Sequence, residues 1–310
     1  MIDISFITIN YNSSEYTIKL IESIVEKTEG LSYEIIVVDN ASEELDFINL
    51  KEYAKSNINI KFIHNKINSG FASGNMLGVN YAKGRYYLFI NNDCILLNNV
   101  AKILTDFLDS NDEIALATGR IFDENGKISS SYRQFPHVIR QLFGNSIQRK
   151  LSKNKFPSNK IELKYSSQVE VVSGSFMFFR TKDFFNIGGF DTIFFLYCEE
   201  EDISKRVWDY GKKVYFIPEV KIMHKAGGST KRNFEIEREF YISYYHLIKK
   251  HNNLLGQLLI KFALVFKLFF RIFKKKHGFK IFLSMLNGFS NKNSLRYKQK
   301  IVERRRENVI

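Results

Sequence analysis

The chain has 310 residues, 45% hydrophobic and 25% charged; this balance excludes a disordered or fibrous protein and allows one large domain or two modest ones. The formal charge is +13, yet residues 251–310 hold 14 Lys and Arg against two Asp and Glu, so the first 250 residues are close to neutral. Two cysteines, Cys94 and Cys198, exclude a disulfide framework, and a start without a basic segment, broken early by Asn10, speaks against a cleaved signal peptide and for a reducing cytoplasmic setting.

A short β-rich stretch, Ile4 to Ile9, ends in Asn10-Tyr11-Asn12. The spacing of Ile18, Leu20, Ile21, Ile24 and Val25 predicts a helix over 15–27. Glu34 to Val38 is a continuous apolar run closed by Asp39-Asn40, the pattern of a strand buried on both faces of a parallel sheet. A helix over 44–55, a strand over 58–64, a Gly-containing loop and helix over 68–82, and a strand over 86–90 closed by Asn91-Asn92-Asp93 continue the alternation. Strand and helix with short connections predict a doubly wound α/β sheet for the first hundred residues. Residues 119–168 are polar and read as loops with one helix near 138–151. A strand over 169–179, interrupted at Ser173-Gly174-Ser175, is followed by a helix near 182–187 ending at Gly188-Gly189. A helix from Glu199 to Gly211, a strand over 213–217 and a β-like run over 220–224 follow.

In such sheets ligands bind beyond the carboxyl ends of the strands, and three strand ends here carry polar clusters: Asn10-Tyr11-Asn12, Asp39-Asn40 and Asn91-Asn92-Asp93. Asn and Asp also end strands simply by making turns, so each cluster alone has two readings. Neither a Walker A sequence nor G-x-G-x-x-G is present; Gly70-Phe71-Ala72-Ser73-Gly74-Asn75 brings small residues to a helix start, where backbone N–H groups can meet an anion or simply form a tight turn. Asp93 offers one carboxylate suited to Mg²⁺ or Mn²⁺ when a nucleotide diphosphate completes the shell. Glu199-Glu200-Glu201-Asp202 complements a helix dipole, but crowded carboxylates also raise one another's pKa, as a general base working near neutral pH requires. His224 ends a β-like run before Lys225-Ala226-Gly227-Gly228-Ser229-Thr230, a loop suited to covering a diphosphate; Cys94 and Cys198 read as packing residues.

The order of these blocks resembles the family-2 inverting glycosyltransferases: Ser5 to Asn12, Val37 to Ser42, Asn68 to Asn75, then Asn91-Asn92-Asp93. Gly188-Gly189-Phe190-Asp191, Tyr197 to Asp202 and His224 to Ser229 look like the rhamnosyltransferase branch of bacterial polysaccharide biosynthesis. The resemblance covers residues 3 to about 232. It implies a GT-A fold and sugar transfer, with inversion, from a UDP- or dTDP-linked donor to a glycan acceptor, lipid-linked by preference, with Mg²⁺ or Mn²⁺. Residue by residue, it places Thr8, Asn10, Asp39, Asn68, Gly70, Phe71, Asn75 and Asn92 along the nucleotide sugar, Gly174 and Asp191 on the acceptor side, and Asp93 with His224 at the metal. Where the family has D-x-D this chain has Asn91-Asn92-Asp93, so Asp93 is the one acidic ligand. Where the family has Glu-Asp-x-Asp this chain has Glu199-Glu200-Glu201-Asp202, so Glu200 matches the catalytic position, with Glu199 and Asp202 in reserve. The implied organisation is a catalytic domain over 1–235, nucleotide-binding over 1–96 and acceptor-binding over 97–235, followed by a helical, basic region over 236–310.

The basic charge lies in that last region. Leu254 to Phe273 is mostly apolar; Gln257, Lys261, Lys267, Arg271 and Lys274 fall within about 140° of a helical wheel, with Leu264 inside the same arc. Charges inside the segment argue against a membrane span and for a helix lying on an anionic cytoplasmic leaflet, helped by Lys274-Lys275-Lys276. That predicts a peripheral protein at the inner face of the plasma membrane. A soluble helix with a basic solvent face is the alternative for this segment. For the whole chain the alternatives are a polyprenyl-phosphate glycosyltransferase of the same fold, an inactive homologue, and a nucleic-acid-binding protein, which Arg304-Arg305-Arg306 suggests but the neutral first 250 residues oppose.

Overall fold

The computed structural model describes residues 2–56, 59–136, 162–225 and 233–303. Four strands, β1 (Ile4–Asn10), β2 (Tyr33–Asn40), β3 (Ile60–Asn65) and β4 (Tyr86–Ile90), pair in parallel in the order β3-β2-β1-β4. Helices α1 (Ser14–Lys27), α2 (Glu44–Lys55) and α3 (Gly70–Val79) supply the crossovers. Ile35 to Val38 are fully buried, as a strand covered on both faces must be. The doubly wound arrangement expected of the first hundred residues is present, with α3 shorter at both ends than its pattern suggested.

Beyond β4 the sheet becomes mixed. A short β5 (Cys94–Leu96) and helix α4 (Val100–Asp109) lead to β6 (Ile114–Phe122), whose first six residues are buried in the middle of the sheet. This corrects the reading of a loop region beginning at Gly119, because Gly119–Phe122 finish a strand. The helix expected near 138–151 lies outside the described residues. The strand expected over 169–179 is two strands in two sheets: β9 (Val171–Val172) pairs with β7 (Tyr132–Arg133), whereas β10 (Phe176–Arg180) enters the main sheet antiparallel to β4 and β6. The runs over 213–217 and 220–224 are one strand, β11 (Lys213–His224), with a register break between Ile217 and Lys221 that accommodates Pro218. β8 (Ser167–Gln168) joins β11, and the main sheet runs β3-β2-β1-β4-β10-β6-β11-β5.

This topology sends every motif to one edge. The carboxyl ends of β1, β2, β3, β4, β6 and β11 lie there; so do the start of β10, which faces Ile90 through Phe176, and the start of β5, which faces His224 through Cys94. After helix α5 (Thr181–Asn186), helix α6 (Glu199–Asp209) starts behind a segment, Phe194 to Cys198, that packs inward. Three further helices, α7 (Phe234–His251), α8 (Leu254–Arg271) and α9 (Gly278–Leu286), bury Tyr241, Leu247, Ile260, Leu264 and Ile281 in a cluster that includes Phe194 and Cys198. The C-terminal helices thus brace the segment that launches α6. Among the described residues no helix is long and apolar enough to cross a membrane.

Candidate active site

At the ends of β1 and β2 the side chains form a buried network. The amide of Asn10 lies 3.1 Å from Asp39 Oδ1, 3.0 Å from Ser42 Oγ and 2.8 Å from Asp46 Oδ2, and Asn10 Oδ1 accepts from Thr17 at 2.9 Å. Asp39 also accepts from the Ser42 N–H at 3.3 Å, and its Oδ2 is 3.4 Å from His64 Nδ1. Asn10 and Asp39 are both fully buried, and Asn10 commits its polar atoms to holding Asp39 in place. Thr8 is buried on the same strand, and its hydroxyl has no hydrogen-bond partner among the described residues. The Asn92 side-chain N–H group donates to Ser13 Oγ at 2.7 Å and Thr17 Oγ1 at 2.9 Å, tying the β4 end to α1.

The next loop is fixed by amides. Asn68 Oδ1 accepts from Asn40 at 2.9 Å and from the Gly70 N–H at 3.0 Å, and Asn75 donates to the Phe71 carbonyl at 3.1 Å. The Phe71 ring meets Phe190 edge-on with centroids 5.9 Å apart, and the Phe71 N–H donates to the Phe195 carbonyl at 2.8 Å. Gly70 has φ +81°, and a Cβ there would lie 2.2 Å from that same carbonyl. The donor loop and the run into α6 are thereby in direct backbone contact. Gly70→Ala should cost at least about 1–2 kcal/mol from the left-handed backbone alone, before the overlap is relieved. Thermal unfolding should show the loss; an unchanged melting point would mean the loop carries no such constraint.

Asp93 and His224 meet across β5 and β11. His224 Nε2 is 3.1 Å from Asp93 Oδ1, a buried carboxylate oxygen that accepts no hydrogen bond from the described residues, and the Lys225 N–H donates to the Asp93 carbonyl at 3.0 Å. Among the described residues Asp93, Cys94 and His224 form a group whose potential ligand atoms all lie within 4.8 Å of one another. Burial pushes the Cys94 thiol up, the neighbouring Asp93 charge adds to this, and Sγ sits 3.6 Å from the Ser175 carbonyl. Mg²⁺ and Mn²⁺ favour oxygen ligands over a thiol, so for these ions the group offers the Asp93 carboxylate with the His224 imidazole beside it, a partial shell suited to a cation that a diphosphate also binds. Of the loop expected to cover a diphosphate, Ala226 to Thr230 lie outside the described residues.

The acidic run opens α6 after two residues in the left-handed region, Tyr197 (φ +73°) and Cys198 (φ +68°). Such backbone costs on the order of 1–3 kcal/mol per residue and concentrates at functional sites. It turns Glu199 inward: burial, followed by the charge of Glu200, pushes its carboxyl well above the usual range, and Oε2 is buried without a partner. Glu201 is pushed up to about 7 by burial and by Glu200, against the opposing charge of Arg133. Arg133, from β7, pairs with Glu200 through Nη2 and with Glu201 through Nε at 2.9 Å. Gly174 lies against Glu200: a Cβ on Gly174 would sit 3.4 Å from both Cδ and Oε1. One residue on, the Ser175 carbonyl accepts from the Asn91 N–H at 3.0 Å. A three-residue loop, 173–175, therefore spans the distance from the Asp93 turn to Glu200.

One expected site residue, Asp202, is placed otherwise. Asp202 is fully buried between two cations and an imidazole: Arg206 Nη2 at 2.7 Å, Lys250 Nζ at 2.7 Å and His251 Nε2 at 2.8 Å. Burial works against its charge, but the His251 hydrogen bond, Arg206 and Lys250 bring its pKa down to about 2. Its oxygens hold α7 to α6, which removes it as a reserve catalyst. Asp191 pairs with Lys250 at 2.6 Å and accepts from the Ile193 N–H at 3.0 Å, so it shapes the loop behind Phe190. Arg133 was not anticipated; a lone arginine in a polar stretch gives no signal when its partners lie 67 residues away.

The family model for glycosyl transferase family 2 matches residues 5–186. The rhamnosyltransferase WbbL of Escherichia coli K12 is 28% identical over 74% of this chain and 85% of its own length. An N-acetylglucosaminyl-diphospho-decaprenol L-rhamnosyltransferase of Mycobacterium tuberculosis is 28% identical over 36% of this chain and 38% of its own. Among solved structures, GalNAc-T7 with UDP, GalNAc and Mn²⁺ superposes with a TM-score of 0.57 at 17% identity, covering 78% of this chain and 47% of that one. That likeness is one of fold, and it agrees with the GT-A arrangement described above. With the family match spanning more than half the chain and its blocks gathered at one sheet edge, the protein belongs to glycosyl transferase family 2.

Proposed function

We propose that the protein transfers a deoxyhexose, rhamnose by preference, from a UDP- or dTDP-linked donor to a hydroxyl of a lipid-linked glycan, with inversion, at the cytoplasmic face of the plasma membrane. The observation that supports this reading is the loop 173–175, whose Gly174 lies against Glu200 while its Ser175 carbonyl accepts from Asn91, two residues before Asp93, which meets His224. The named activities of the two rhamnosyltransferase relatives support the sugar, and the decaprenol-linked substrate in the name of one supports the acceptor.

Glu200 takes the proton of the acceptor hydroxyl as that oxygen bonds to the anomeric carbon, and the bond from that carbon to the diphosphate oxygen breaks on the opposite face. The proton then passes from Glu200 to solvent, and the nucleoside diphosphate leaves with the bonding pair. Asp93 and His224 would hold Mg²⁺ or Mn²⁺, which supplies charge neutralisation to the departing diphosphate. Asp39, held rigid by Asn10, offers an acceptor for a pyrimidine N–H, and the free Thr8 hydroxyl lies on the adjacent strand. Arg133 holds Glu200 and Glu201 in place against their mutual repulsion.

A panel of nucleotide sugars offered with a diphosphoprenyl-linked acceptor sugar tests the reading. Transfer from dTDP- or UDP-deoxyhexose is expected, and transfer to a bare polyprenyl phosphate instead would favour the loading reaction. Asp93→Ala should lower transfer by on the order of 10²-fold or more, the scale for losing one electrostatic partner of a developing charge. Full metal-independent transfer by that variant would remove Asp93 from the site.

A further inference from the structure

Helix α8 is amphipathic in the reverse of the usual sense. Its body-facing stripe is Gly256, Ile260, Leu264 and Leu268, packed on α7 and α9. Arg271 lies in the same arc, donating to Tyr241 Oη at 2.9 Å and pairing with Glu237. This arc docks through its apolar residues and Arg271, while Lys261 and Lys267 reach the surface from it, which explains the position of Leu264 among the charges. The opposite arc faces outward and is apolar throughout: Leu255, Phe262 and Phe266 on α8, continued by Phe273 just past its end and by Phe279 and Leu286 on α9, are between 58% and 75% exposed. A soluble helix with a basic solvent face is not what this region forms. Contiguous exposed patches of this kind mark an interaction surface.

We infer that the α8–α9 face inserts into the acyl region of an anionic lipid leaflet, with Lys274, Lys275, Lys276 and Lys280 meeting the headgroups at its rim. The inference deepens the membrane location proposed above and rests on it. Charge selects this occupant: residues 252–302 contain no Asp or Glu, and the lysines at the α8–α9 turn and on α9 are exposed. A second copy of the chain on a two-fold axis would bring two such lysine clusters together, whereas anionic headgroups neutralise them. Phe and Leu at the depth of the ring faces add the apolar burial that adsorption by charge alone lacks. A hairpin bound in this way keeps α7 and Phe194 on the protein side, so the catalytic edge sits on a body anchored beside the membrane where a lipid-linked acceptor resides.

The test uses the full chain and vesicles of phosphatidylcholine with phosphatidylglycerol. Tryptophan placed by Phe266→Trp should be quenched by brominated acyl chains, while the single native Trp208, on α6 and donating to the Glu170 carbonyl, should not be. A triple change of Phe262, Phe266 and Phe273 to Ser should weaken vesicle sedimentation at least tenfold at an unchanged melting temperature, with transfer to a short soluble acceptor retained. Lys274, Lys275 and Lys276 together changed to Glu should abolish the preference for phosphatidylglycerol. No quenching at position 266, or a triple-Ser protein that binds vesicles as well as the parent, would overturn the inference. So would a parent dimer that dissociates in the triple-Ser protein while vesicle binding stays the same. Each of these outcomes leaves the transfer reaction standing, and loss of transfer with intact vesicle binding would strike only the proposed reaction.

Discussion

Glu200→Gln is expected to reduce sugar transfer by about 10²–10⁴-fold, the range spanned by a positioned general base, without loss of donor binding. The amide keeps the size of the side chain and its place against Gly174 and Arg133, but it cannot accept the acceptor's proton. Glu200→Asp, one methylene shorter, should keep a measurable part of the rate. Single-turnover kinetics with the chosen donor would separate the two variants. Near wild-type transfer by the Gln protein would move the base elsewhere, first to Glu199, whose raised carboxyl shares the α6 start. Arg133→Ala is expected to impair the same step for a different reason: it leaves Glu199, Glu200 and Glu201 crowded with no cation between them. Arg133→Lys should restore part of the loss, because the charge returns without the two-pronged geometry.

The second large effect concerns folding. Asp202→Ala should destabilise the protein by about 3–5 kcal/mol, the scale of removing one partner from a buried ionic cluster, since Arg206, Lys250 and His251 would face one another without a counter-charge. The same carboxylate makes stability depend on pH in a definite direction. Its folded-state pKa, about 2, lies below the unfolded value of 3.8. Its contribution, about 2 kcal/mol, is therefore complete above the unfolded value and is lost as pH falls from about 4 towards about 2. Denaturant titrations of parent and Asp202→Ala at pH 7 and pH 3 should show the gap narrowing at the lower pH. A gap that stays constant would mean Asp202 is not held ionised by this cluster.

The strand ends were legible because apolar runs stop at Asn or Asp, and parallel pairing carries all such stops to one edge. Asp93 and Asp39 could therefore be singled out from the sequence, whereas Glu200, in the first turn of α6, was singled out by the family resemblance. What those residues touch was not legible. Asn10 and Asn92 look alike in sequence, as amides one and two residues past apolar runs, yet the side-chain N–H groups of both hold the framework, and only the pairing of β1, β2 and α1 shows this. Asp202 looked like a fourth acid in a catalytic run; its partners come partly from α7, 48 and 49 residues away. β6 was missed because Ile114 to Phe122 combines Ala, Thr, Gly and Arg with no alternation, a strand defined by its place in the sheet and not by its composition. The C-terminal segment taught the opposite lesson. Its charge and amphipathicity were plain, but which arc faces the protein depended on Tyr241, Leu247 and Ile281 waiting to receive it.

The most direct measurement is the anomeric configuration of the product, read by NMR after transfer from a deoxyhexose nucleotide of known configuration to a diphosphoprenyl-linked acceptor, with parent, Glu200→Gln and Asp93→Ala proteins side by side. The proposed direct displacement, with Glu200 as base and Asp93 at the diphosphate, predicts an inverted anomeric centre, nucleoside diphosphate released in step with product, and strong loss in both variants. A retained configuration, or full activity in both variants, would contradict it.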